Sequence, residues 1–156
     1  MRLRIAGIVK ESVVDGPGFR YVVFAQGCSH NCKGCHNPDT HDPEGGYAVD
    51  TEDIFADIMQ CKNIDGVTFS GGEPFLQAEP FTKLAERLKE AGINVLCYSG
   101  YTFEELLASN NESYKSLLKL IDTLIDGPYV EELRDIRLTF RGSRNQRIID
   151  VKSRLL

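Results

Sequence analysis

Three of the five cysteines in this 156-residue chain fall within eight residues, Cys28-Ser-His-Asn-Cys32-Lys-Gly-Cys35, and this crowding limits the possible folds more than any other feature. The N-terminus, Met1-Arg-Leu-Arg4, is followed by no long apolar stretch and no small-residue cleavage site. With an odd number of cysteines as well, a secreted disulfide framework is a poor reading and a cytoplasmic chain the expected one. Gaps of three and two residues let one short loop turn three thiolates toward a single centre, and thiolates suit soft metals, chiefly zinc and iron–sulfur clusters. A structural zinc needs a fourth ligand. His30, His36, His41 or Cys61 could supply it, although zinc knuckles and ribbons use two separated CxxC-like arms and only one is present. A cubane held by three cysteines leaves one iron without a protein ligand, and an open position marks a catalytic metal. The spacing favours a cluster and leaves zinc open. Cys61 and Cys97 stand alone and read as core packing.

Around this loop, strands and helices alternate. Residues 2–9 and 19–25 read as strands joined by the turn residues Asp15-Gly-Pro-Gly18, and 37–46 as loop. Asp50-Thr51 offers a cap for a helix to about Lys62, with Ile54, Phe55, Ile58 and Met59 at helical spacing. Residues 66–70 form a β-branched run ending in Gly71-Gly72. Residues 77–91 carry Phe81, Leu84, Ala85, Leu88 and Ala91 on one helical stripe, stopped by Gly92. A strand over 93–98 ends at Ser99-Gly100, Thr102 caps a helix through Leu107, and Ser113 caps another through Leu120. Residues 120–125 give a strand ending at Asp126-Gly-Pro128, with peripheral strands expected over 137–140 and 147–151. The alternation predicts an α/β fold with a parallel sheet in a single domain, 1–156. A closed eight-fold barrel takes about 250 residues, so an open or partial β/α barrel is expected. Ligands gather at the carboxyl ends of parallel strands, so the cysteine loop, Gly71-Gly72-Glu73 and Ser99-Gly100 should share one face.

Composition excludes several classes. Apolar residues make up 42% and charged residues 26%, as in ordinary globular proteins. The longest apolar run, Tyr21-Val-Val-Phe-Ala25, is far short of the roughly 20 residues of a membrane span. A net charge of -5 argues against broad nucleic-acid or membrane-surface binding. From Arg134 onward, however, seven basic residues face two acidic ones, which reads as solvated surface or as a docking or anion-binding edge.

The three-cysteine loop, followed by Ser70-Gly-Gly-Glu-Pro74 at a strand end, resembles the signature of radical S-adenosylmethionine (SAM) enzymes. Four further stretches narrow the match: Asp15-Gly-Pro-Gly-Phe19, His36-Asn-Pro38, Asp126-Gly-Pro-Tyr129 and Phe140-Arg-Gly-Ser-Arg-Asn-Gln146. With them, nearly the whole chain resembles the family of anaerobic ribonucleotide reductase activases. The resemblance implies a radical-SAM-type partial barrel and a [4Fe-4S] cluster on Cys28, Cys32 and Cys35, with SAM at the fourth iron. Reductive cleavage would give methionine and a 5′-deoxyadenosyl radical, which would make a glycyl radical on the reductase large subunit. Reduced flavodoxin or a similar protein would donate the electron.

The resemblance also implies roles for single residues. Gly71, Gly72 and Glu73 would receive the methionine moiety, with Glu73 accepting from its ammonium. Ser99 would meet the ribose, and Gly34, Cys35 and His36 would give main-chain contacts around adenine. Many superfamily members carry an aromatic before the third cysteine, where this chain has Gly34, so the adenine contact must come from backbone or another side chain. The rival readings are an activase of another glycyl-radical enzyme, a small radical SAM enzyme such as a deazapurine-forming one, a zinc-stabilised binding module, and a simple electron carrier. More plainly still, Gly71-Gly72 could be only a turn and Glu73 a solvated loop acid.

Overall fold

The computed structural model describes residues 1–30, 32–35 and 38–155. Its centre is a seven-stranded sheet made of β1 (Arg2–Ser12), β2 (Arg20–Ala25), β3 (Tyr47–Asp50), β4 (Gly66–Gly71), β5 (Val95–Tyr98), β6 (Thr123–Asp126) and β7 (Arg147–Asp150). Their order is β3-β1-β2-β4-β5-β6-β7. The middle four, β2, β4, β5 and β6, are parallel. The flanking strands β1, β3 and β7 are antiparallel to their neighbours. The α/β class and the open strand assembly are as expected. No closure into a barrel is seen among the described residues, and β3 and β7 are the two edges.

The period of two along the strands gives the sheet two different faces. Tyr21, Val23, Ala25, Val67, Phe69, Val95, Cys97 and Leu124 belong to one continuous core with the helices. That core takes Ile54 and Ile58 from α1 (Thr51–Gln60) and Phe81, Leu84, Ala85 and Leu88 from α2 (Ala78–Glu90). Phe103 and Leu106 come from α3 (Phe103–Ala108), and Leu117 and Leu118 from α4 (Glu112–Leu120). The stripe on α2 is the one its spacing predicts as far as Leu88, whereas Ala91 is the exposed C-terminal cap of the helix and stays out of the core. Phe81 meets Phe69 with ring centroids 4.6 Å apart, and burying Phe81, Leu84 and Leu88 contributes about 2 kcal/mol each before chain entropy is counted.

The opposite face is covered by loops. Thr68 Oγ1 donates to the Asp15 carbonyl at 2.8 Å, and Tyr98 Oη donates to the Phe140 carbonyl at 2.8 Å. The β1–β2 connection and the segment after β6 therefore lie across this face.

Several local expectations change. Asp15-Gly-Pro-Gly18 lies in a connection spanning 13–19, not in a tight two-residue turn. β3 escapes a pattern search because its four residues form a short edge strand with an exposure pattern that does not alternate. The first α4 cap is Asn111, whose side chain accepts from Ser113 N, so Ser113 lies inside the helix. Residues 121–122 link α4 to β6 and are not part of the strand. Residues 137–140 form no strand. Phe140 has φ 63, in the left-handed region that a β ladder excludes. The last strand stops at Asp150, whose carboxylate caps α5 (Val151–Arg154). No helix among the described residues is long and apolar enough to cross a membrane.

Candidate functional site

A cleft of about 680 Å³ opens at the carboxyl ends of the parallel strands. Phe24, Ser70 and Tyr98 form its floor, one each from β2, β4 and β5, and Cys35 of the cysteine loop reaches its wall. The predicted meeting of these strand ends on one face therefore occurs.

The cysteine loop hangs from the end of β2. Gly27 N donates to the Thr40 carbonyl (2.6 Å), Cys28 N to that of His41 (3.1 Å), and Cys35 N to that of Cys32 (3.2 Å). Cys28, Cys32 and Cys35 are each half-buried, and none of the five cysteines forms a disulfide. Burial, more than any other effect, pushes the Cys28 thiol up, and the nearby Glu73 carboxylate and the other two cysteines add to it. A metal binding there must displace a proton. Among the described residues no three His, Cys, Asp or Glu side chains are gathered tightly enough for a single ion. Gly34 has φ 74, and a Cβ there would run into the Glu131 carboxylate, which accepts from Tyr129 Oη at 2.9 Å. The space an aromatic would fill is thus taken by the segment after β6. His36 lies outside the described residues. Cys97 is fully buried in β5, its thiol raised by burial, while Cys61 follows the end of α1 and packs against the core.

Beside this loop the glycine-rich end of β4 is stitched to β2. Gly72 N donates to the Ala25 carbonyl and Glu73 N to that of Gly27, both at 2.8 Å. A Cβ at Gly71 would meet the backbone of Ala25, and one at Gly72 the carbonyls of Gly27 and Thr40. Both glycines are thus required by chain against chain, more than a turn demands.

Glu73 is fully buried, not a solvated loop acid. Its carboxylate accepts from His30 Nε2 (2.5 Å), Ser99 Oγ (3.0 Å to either oxygen), Gly100 N (2.8 Å) and Phe75 N (3.0 Å). The bond to Glu73 raises the His30 imidazole above its ordinary value, against a smaller lowering by burial. Ser99 also accepts from Tyr101 N at 3.0 Å, which leaves it one lone pair. His30 stacks edge-on against Tyr101 with centroids 4.6 Å apart, and Gly100 has no Cβ because the imidazole fills that space. The sequence offers His30 only as a possible fourth ligand for zinc. Its spacing from Glu73 carries no signal, because the two meet only through the fold.

The segment after β6 forms the far wall. The Asp126 carboxylate accepts from Phe103 N at 2.8 Å and from Arg147 Nε at 3.0 Å, fixing the strand end to α3 and β7. Gln146 Oε1 accepts from Gly142 N (2.9 Å) and Ser143 N (3.1 Å), and Gln146 Nε2 donates to the Gly127 carbonyl (3.1 Å). Thr139, Phe140, Arg141 and Gln146 line the cleft as a result.

A model of a 4Fe-4S single cluster domain matches residues 14–149. The anaerobic ribonucleoside-triphosphate reductase-activating protein of Vibrio cholerae serotype O1 is 38% identical over 142 residues, covering 86% of this chain and 89% of that one. The protein of the same name from Escherichia coli K12 is 32% identical over 142 residues, covering 86% and 90%. The pyruvate formate-lyase-activating enzyme of Clostridium pasteurianum is 36% identical over 148 residues, which is 90% of this chain but only 59% of that enzyme. Among solved structures, QueE from Escherichia coli shares the fold with a TM-score of 0.53 at 20% identity, covering 65% of this chain and 54% of that one.

Proposed function

Because the chain belongs to the family of anaerobic ribonucleoside-triphosphate reductase-activating proteins and carries that family's 4Fe-4S domain, we propose that it makes a glycyl radical on an anaerobic ribonucleotide reductase. The matching domain is one for a single 4Fe-4S cluster, which supports a cluster over zinc in the cysteine loop. When bound, the cluster supplies one electron to the sulfonium of SAM, giving methionine and a 5′-deoxyadenosyl radical that takes a Cα hydrogen from a glycine of the reductase large subunit. The observation that carries this reading is the convergence of Cys35 and the ends of β2, β4 and β5 on one cleft in a chain that matches these activases over most of both lengths.

The chain's own residues divide the work. Cys28, Cys32 and Cys35 hold three corners of the cluster, and a set of three half-buried thiols on one loop suits it. Gly71, Gly72 and Glu73 receive the methionine ammonium. Oε1 of Glu73 now takes His30, so the ammonium replaces the imidazole there while Ser99 and Gly100 keep the carboxylate oriented. Ser99 meets the ribose through its remaining lone pair, and the main chain of Gly34 and Cys35 borders adenine. The whole of 1–156 acts as one radical SAM domain, its sheet the wall of a partial barrel, working in the cytoplasm with reduced flavodoxin or a similar donor.

Reconstitution with iron and sulfide under anaerobic conditions, then reduction with SAM and reductase present, is expected to yield 5′-deoxyadenosine and a glycyl-radical signal on the reductase. Cleavage of SAM with no radical on the reductase, but with one on pyruvate formate-lyase, would favour the activity of the Clostridium pasteurianum relative. That relative supports this alternative only over 59% of its length.

A further inference from the structure

Arg141 is the only cation among the described residues lining the cleft, and Asp15 the only carboxylate. The two do not pair. Asp15 accepts from Ser12 Oγ at 2.5 Å, and no ion pair to Arg141 occurs among the described residues. Among the described residues the Arg141 guanidinium makes one long bond, from Nη1 to the Gln146 carbonyl at 3.4 Å. Its Nε is buried and has no partner, and Nη2 has none among the described residues. A buried guanidinium nitrogen without an acceptor is a standing cost, so its persistence calls for an explanation.

The backbone makes the placement more telling. The residue before Arg141, Phe140, sits at φ 63, a strained conformation for a bulky side chain, and its carbonyl is held by Tyr98 Oη at 2.8 Å. On the other side, Gln146 Oε1 takes the N–H groups of Gly142 and Ser143. A strained residue and two pins thus bring Arg141 to the cleft wall, with the Nε–Nη2 edge left for a ligand. That edge is the side-on fork that binds both oxygens of one carboxylate.

We propose that Arg141 is the carboxylate-binding residue of the cleft, pairing its guanidinium edge with the methionine carboxylate of SAM. This rests on the function proposed above, which brings a SAM amino acid to a cleft walled by Cys35 and Ser70. It gives the methionine moiety two anchors of opposite sign, Glu73 for the ammonium and Arg141 for the carboxylate. It also favours, for Arg141, the anion-binding reading of the basic C-terminal segment over solvated surface.

The test is anaerobic equilibrium dialysis of cluster-loaded wild type, Arg141→Gln and Arg141→Lys, with SAM and with decarboxylated SAM, which keeps the sulfonium and amine. Arg141→Gln is expected to weaken SAM binding by about ten- to a hundred-fold and to leave decarboxylated SAM unchanged. Arg141→Lys, which keeps the charge but not the fork, should lose less. The proposal is overturned if Arg141→Gln binds SAM as wild type does, including the case in which it then fails to activate the reductase, which would assign the guanidinium to a carboxylate of the polypeptide. Equal losses for both ligands would also overturn it, because the residue would then be structural. Should Arg141→Gln fail to hold its cluster, the Lys variant decides, and a loss confined to SAM supports the proposal. If wild type itself binds no SAM, the proposed function fails first, with iron content and fold intact.

Discussion

Glu73 and the three cysteines sit on adjoining segments of one site and are built in opposite ways. The Glu73 carboxylate is fully buried and takes four different donors from three segments of chain. The cysteine thiols are half-buried, and the loop carrying them is tied down at its base by main-chain bonds from Gly27 and Cys28. The strand end is therefore set by folding, whereas the loop's final arrangement depends on the metal it binds. The difference has a physical origin. A buried carboxylate is tolerable only when its lone pairs are filled, so folding itself must complete that half. Thiols are weakly polar and tolerate partial exposure until a metal takes their protons.

The sharpest way to break this contrast is at the cysteines. Cys28→Ser, Cys32→Ser and Cys35→Ser are each expected to abolish stable cluster binding and SAM cleavage, read as iron content and 5′-deoxyadenosine. Unfolding of the metal-free chain should change by less than about 1 kcal/mol, as for a substitution outside the packed core. Cys61→Ala and Cys97→Ala should leave cleavage largely intact, with Cys97→Ala costing some stability because that thiol is fully buried. A Cys32→Ser protein with full cleavage would remove the basis for assigning the loop to the cluster.

Glu73→Gln should act in the opposite sense, on folding before chemistry. An amide has one acceptor oxygen where the carboxylate has two. His30 and Ser99 can turn to suit it, but the N–H groups of Gly100 and Phe75 cannot. One of them is left facing an NH₂ group, so the metal-free protein should lose about 2–3 kcal/mol in denaturant unfolding, and SAM binding should weaken as well. Unchanged stability would mean that the carboxylate is not the hub its contacts suggest.

How much of this was legible in the sequence follows from the range over which each interaction acts. The α2 stripe from Phe81 to Leu88, the Thr102 cap and the strand end at Tyr98 are set by neighbours three or four residues apart or by alternation, and they fold where the pattern puts them. Cys28, Cys32, Cys35 and Glu73 could be named because spacing and motif mark them. The partners of Glu73 could not. His30, Ser99 and Gly100 converge on it across gaps of 26 to 43 residues, and nothing local distinguishes His30 from a loop histidine. The same holds for the segment over the cleft. Residues 137–140 alternate like a strand, yet the left-handed turn at Phe140 and the Gln146 pins direct them across the site. Charge counting saw a basic tail and could not tell that Arg141 points inward while Arg137 pairs with Asp135 in solvent.

The finest test of the contrast is His30, which belongs to the cysteine loop by sequence and to Glu73 by contact. If the ammonium of SAM displaces the imidazole, His30→Ala removes a competitor and also a support. The metal-free protein should lose about 1–2 kcal/mol, from the bond to Glu73 and the packing on Tyr101. SAM should then bind the cluster-loaded variant at least as tightly as it binds wild type, because no imidazole has to leave Oε1. A fall in SAM affinity, with the cluster intact, would instead mean that His30 stays on Glu73 when the cofactor is bound. The strand end would then be closed to the ammonium, and the main chain of Gly71 and Gly72 would have to receive it.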